Sequence, residues 1–185
     1  MKHAIDLWIK NFVEKPNIDF GNLPVCPYAK EARISKRLNI IEFNNDRPDE
    51  DIAICVKEMD LSKHDITLLI FEKDRWSIQE TFKVARKTQK LAEERGLVFV
   101  EDHPEWSEVV GNTDITNGEY IIFFMQNHEK TFKYASKLRK TDYYKVWKKT
   151  NNEVKNFVEG KEADPDYFTK RQNAYNLEFK KEFGN

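Results

Sequence analysis

One cysteine and one histidine are the residues best suited to chemistry. Cys26 lies in Leu23-Pro24-Val25-Cys26-Pro27-Tyr28-Ala29-Lys30. Proline favours the first helical turn, which would put Cys26 at an N-cap, where unpaired backbone amides and the helix dipole stabilise a thiolate. Lys30 follows one turn later. The alternative is an ordinary cysteine plugging a loop. His103 lies in Glu101-Asp102-His103-Pro104-Glu105-Trp106, just past an apolar stretch with strand composition. The carboxyl ends of parallel strands face the ligand crevice, so His103 reads as acid, base or ligand, with Asp102 or Glu105 beside it. Its alternative role is to cap the strand end through hydrogen bonds to its own loop. If the two residues meet, a thiolate-imidazole pair suits attack on an acyl or similar carbon, with His103 taking the proton and Asp102 orienting the ring. The expected catalytic set is therefore Cys26, His103 and Asp102, and Tyr28, Arg33, Glu105 and Trp106 are expected to line the pocket. Metal ligation by Cys26, His103 and Asp102 or Glu105 is disfavoured, because no second cysteine or closely spaced histidine joins them. His3, His64 and His128 are scattered, and these residues leave the cofactor open.

Cys26-Pro27-Tyr28-Ala29 is similar to a glutaredoxin redox loop, but Ala29 replaces the resolving cysteine and no Thr-Val-Pro turn follows. A second candidate function lies in the basic aromatic stretch from Lys130 to Lys149, which contains Phe132, Tyr134, Tyr143, Tyr144 and Trp147. Lysines that neutralise phosphates and rings that stack on bases hold single-stranded nucleic acid. The competing reading makes Tyr143, Val146, Trp147 and Val154 the buried side of a helix whose other face is lysine-rich.

Those residues need elements to hold them. Ile5, Trp8, Ile9, Phe12 and Val13 recur at helical spacing up to Pro16, which predicts a helix over 4–14. Residues 17–27 read as an irregular loop leading to a short helix over 28–36. Strands are predicted over 38–43, 66–71, 97–101 and 120–125, with the second a continuous apolar run buried on both faces. Helices are predicted over 52–59 and 76–95; a strand is the alternative for 52–56. Gly96 stands where a C-cap glycine belongs. The alternation of strand and helix implies right-handed crossovers and a mainly parallel sheet of about four strands, an α/β fold with α+β the alternative. The loop over 102–119 is long enough to be functional or disordered. The remainder reads as helices over 129–140 and 142–158, then a last one from Asp164-Pro165 to about Phe183 with Phe168, Tyr175, Phe179 and Phe183 along one stripe. We expect an α/β domain over 1–158 and a helical extension over 159–185, packed on the domain or forming a dimer contact.

The ordered set of motifs resembles a bacterial family of uncharacterised proteins, known only as a domain of unknown function. The motifs are Val25 to Lys30, Thr67 to Ile70, His103 to Trp106, and the helical pair spanning Tyr143 to Phe157. The resemblance covers roughly Ile5 to Val158. It implies a shared α/β fold and a pocket on which Cys26 and His103 converge. The chain departs from the family in the loop after His103, where Asn117-Gly118-Glu119-Tyr120 stands for an Asn-Arg-Ser-Pro-type segment.

Composition narrows the function classes. At 185 residues the chain can bury a core without staples, and its two cysteines, Cys26 and Cys55, are too few for a disulfide framework. No apolar run reaches the about 20 residues a membrane-spanning helix needs. Asp6 and Lys10 interrupt the first apolar stretch, against a signal peptide. A cytoplasmic location is expected. Charged residues make up 34% of the chain, yet the net charge is −1, so no global field draws in a polyanion or an anionic bilayer. The leading expectation is an enzyme or ligand-binding protein with a Cys/His pocket at the carboxyl end of the sheet, taking a small-molecule ligand. The alternative is a non-enzymatic protein that binds nucleic acid or a protein partner through the basic aromatic region.

Overall fold

The computed structural model describes residues 1–44 and 50–146. The first helix, α1 (Lys2–Trp8), runs straight into a π-helical turn, Ile9–Val13, closed by the Glu14 amide donating to the Ile9 carbonyl. The wider turn keeps Ile5, Ile9 and Val13 on one buried line. Two-residue strands β1 (Pro16–Asn17) and β2 (Leu23–Pro24) pair antiparallel around the turn at Gly21, whose φ of 67° suits a residue without a Cβ. Helix α2 (Ala29–Ile34), strand β3 (Leu38–Glu42), helix α3 (Glu50–Glu58) and strand β4 (Ile66–Glu72) follow. Helix α4 (Ile78–Glu94) opens on a capping box between Ser77 and Glu80, which satisfies two backbone amides at the helix start. Gly96 closes it with a φ of 67°. Then come β5 (Leu97–Asp102), the small hairpin of β6 (Val109–Val110) and β7 (Thr113–Asp114), β8 (Tyr120–Asn127), and α5 (His128–Leu138), which Asn127 caps.

The main sheet has the order β3-β4-β8-β5. β3 and β4 are parallel, whereas β8 pairs antiparallel with both β4 and β5. This corrects the expected mainly parallel sheet. The strand-helix-strand-helix-strand reading holds for direction, because β3, β4 and β5 all point the same way. The chain then returns through β8, which slots between β4 and β5 and converts two of the three pairings to antiparallel. Helices and a mixed four-stranded sheet remain, as an α/β description requires.

Both sheet faces are covered, so β4 is buried from Ile66 to Phe71 and Thr67 is its one polar side chain there. Leu69 and Phe71 join Ile52, Val56, Ala85, Phe99 and Phe123 under α3 and α4. Leu68 and Ile70 join Ile5, Ile9, Ala29 and Ile122 under α1 and α2. A third cluster, centred on Phe20, Val110, Ala135, Tyr143 and Tyr144, packs the loops against α5. No helix among the described residues is long and apolar enough to cross a membrane. The expected extension over 159–185 and its aromatic stripe lie outside the described residues, as does most of the helix expected over 142–158.

Candidate functional site

Strand β5 supplies one wall of an opening beside the sheet. Its side chains alternate: Leu97 and Phe99 pack toward α4, while Val98, Val100 and Asp102 face the α1 side. A cavity of about 260 Å³ lies there, walled by these three residues, Phe124 and Gln126 of β8, Trp8 and Val13 of the first helical segment, and Val25 and Cys26 of the loop before α2. Glu101, Glu108, Ile115 and Thr116 complete it. The long 102–119 loop is thus the cavity's cover. It is pinned to the β1-β2 loop: Asn112 N and Thr113 Oγ1 donate to Asp19 Oδ2 at 3.0 and 2.8 Å, and Asn17 Nδ2 donates to Thr113 Oγ1 at 3.0 Å. Gly111 permits that approach, since a Cβ there would meet Asp19 Oδ1 at 2.5 Å.

Carboxyl groups gather at one end of this apolar wall. Asp102 Oδ2 accepts from Asn117 Nδ2 at 2.6 Å and from the Asn117 amide at 3.3 Å. Burial pushes its pKa up to about 6; the bonds from Asn117 pull it back, while the charges of Glu108 and Asp114 add to the rise. Glu101 is only 6% exposed. Burial raises its pKa to about 8 against the nearby Arg86 charge, with Glu108 and Asp102 pushing the same way as burial. Among the described residues no group of three or more His, Cys, Asp or Glu side chains can hold a metal ion.

Cys26 and Asp102 therefore border one cavity, and His103 does not. His103 is 1% exposed. Its Nδ1 accepts from the Glu105 amide at 3.2 Å, so Nε2 carries the proton and donates to the Trp76 carbonyl at 3.0 Å. Trp76 belongs to the α4-side cluster, whereas Cys26 packs with the α1-side cluster. The ring ties a strand end to the segment before α4, which is the capping role, and the thiolate-imidazole pair is not assembled. Cys26 also differs from the N-cap expectation. Helix α2 begins at Ala29 with Tyr28 as its N-cap, so the thiol precedes the helix. Burial pushes it up to about 11, only partly offset by the Ala29 and Tyr28 amides. That is the opposite of an activated nucleophile.

The other residues expected to line the pocket do not line this cavity. Arg33 makes a bidentate pair with Glu14, Nε to Oε1 at 2.6 Å and Nη2 to Oε2 at 2.7 Å, and does not line the cavity. Glu105 is exposed, and Trp106 packs on Phe82 of α4 with ring centroids 4.7 Å apart. Tyr28 donates its hydroxyl to Gln126 and stacks on Tyr134 at 5.1 Å. The basic aromatic stretch uses its rings and several charges internally: Tyr134 donates to Glu31, Lys130 pairs with Asp65, and Tyr143 and Tyr144 are buried. Trp147, Lys148 and Lys149 lie outside the described residues. Residue type alone missed Trp8, Glu101, Glu108, Thr116 and Gln126. The signal for part of the wall was the period-two pattern of Val98, Val100 and Asp102.

The chain has no match among protein-family models, curated proteins or solved structures. The resemblance drawn from the ordered motifs Val25–Lys30, Thr67–Ile70, His103–Trp106 and Tyr143–Phe157 thus rests on those motifs alone.

Proposed function

We propose that the protein binds a small amphiphile, with an amine head at the Asp102 end of the cavity and an apolar body along Val98, Val100 and Phe124. The observation that carries this reading is a cavity of about 260 Å³ with an apolar wall that ends in carboxyl groups. Ligand sites are commonly concave, largely apolar and fitted with a few placed polar groups. A buried carboxylate gains most from a donor that it can pair with, because an unpaired charge in such a place is costly. The two-cysteine composition supports a cytoplasmic setting. The thiolate chemistry expected of Cys26 forms no part of this reading, and Cys26 serves as wall.

Calorimetric titration of hexylamine against hexanoate at neutral pH tests it. Hexylamine is expected to bind at least about tenfold more tightly, the value of one charge-assisted hydrogen bond. Asp102→Asn should erase that preference. Absence of binding by either compound, or tighter binding of hexanoate, overturns the reading.

A further inference from the structure

A second cavity of about 210 Å³ adjoins the first. The two share Val25, Cys26, Ile115 and Gln126 as walls. They differ in chemistry. The carboxyl groups line only the first, while the second is bounded beyond the shared wall by Ala135 and Leu138 of α5 and by the Tyr143 and Tyr144 rings. Each alone is smaller than the about 300 Å³ at which drug-sized sites begin, and joined they pass it.

Gln126 stands at the boundary for a definable reason. On β8 it lies opposite Ile66 and Val98 and shares the α1-side face with Phe124. Its Oε1 accepts from the Tyr28 hydroxyl and, at 3.4 Å, from Thr131 Oγ1. Tyr28 is itself fixed, because its ring stacks on Tyr134 with an interplanar angle of 14°. A polar side chain anchored by two hydroxyls thus stands in the wall that the two cavities share.

We infer that the two cavities are the halves of one elongated site for a linear amphiphile, and that Gln126, held by Tyr28, is the specificity-determining residue that limits tail length. The inference rests on the ligand reading above and adds the shape of the ligand: polar end at Asp102, straight apolar tail directed past Cys26 toward Tyr143 and Tyr144. Gln126 is a gatepost and takes no part in holding the head.

The test is a calorimetric series of straight-chain primary amines from butylamine to decylamine, run on the full chain and on Gln126→Ala and Tyr28→Phe. Circular dichroism and melting temperature show that each variant is folded. Affinity should rise about fourfold per added methylene while the tail fills the first cavity, then level off. In Gln126→Ala the levelling should move to longer chains. Tyr28→Phe keeps the stacked ring and removes the shorter of the two anchors, so it should move the levelling the same way, by less, if the first variant is too unstable to titrate. Levelling at one chain length in all three proteins, or no levelling in the unsubstituted chain, overturns the gatepost while leaving the ligand reading in place. No amine binding at any length overturns both.

Discussion

Glu101 provides the sharpest test of the electrostatics around the cavity. Its carboxyl is buried on β5, next in sequence to Asp102, and is held protonated up to about pH 8, whereas the ordinary glutamate value is 4.5. Above 4.5 the unfolded chain has released this proton and the folded chain keeps it. The folded state then binds one proton more, so stability falls as pH rises, until the folded carboxyl also ionises near pH 8. Asp102 acts in the same sense but finishes near pH 6. Of these two carboxyls, only Glu101 still adds to the slope between about pH 6 and about pH 8.

One proton fixes that slope at about 1.4 kcal/mol per pH unit, whatever the exact size of the shift. For a chain of this size it corresponds to a melting temperature that drops by about 3 to 6 °C per unit. Glu101→Gln keeps the shape and the polar end and cannot ionise. Urea and thermal unfolding of both proteins across the window should give a falling line for glutamate and a flatter one for glutamine, with the variant the more stable near pH 8. Parallel lines would refute the buried, protonated carboxyl of Glu101.

Two further outcomes follow from single side chains. In a Cys55→Ser background, Cys26 should react with iodoacetamide at least about tenfold more slowly than an unperturbed thiol at mildly alkaline pH, because burial pushes its pKa up to about 11; mass spectrometry of the alkylated peptide reads the rate, and free-thiol kinetics would contradict the placement. Thr67 on β4 is 2% exposed, and its hydroxyl finds no hydrogen-bond partner among the described residues, so Thr67→Val should stabilise the fold by about 1 kcal/mol in urea unfolding, whereas a loss would mean that the hydroxyl is satisfied.

The elements were legible where local rules decide them. The helical spacing over 76–95 and Gly96 at its end gave α4, and the mostly apolar run of β4 reports burial on both faces. Strand order was not legible, since β8 and β5 carry the same apolar composition whether β8 lies at an edge or between β4 and β5. That position is decided by which hydrophobic faces meet, which no short window contains. The π-helical turn at Ile9–Val13 was hidden for a related reason: one extra residue in a turn leaves the apolar spacing of Ile5, Ile9 and Val13 nearly helical.

The candidate site shows the same division on a smaller scale. Residue type singled out His103, but type carries no information about which face a side chain takes. Parity does. Along β5, Val98, Val100 and Asp102 fall on one side and Leu97 and Phe99 on the other, with His103 continuing the second set into the α4-side contact with Trp76. An imidazole one position earlier would border the cavity beside Cys26; where it stands, the pleat turns it toward a backbone carbonyl. The chemistry available to this protein is therefore fixed less by which reactive residues it contains than by the odd or even position each holds on the edge strand, and that parity leaves a carboxyl, not an imidazole, in the cavity.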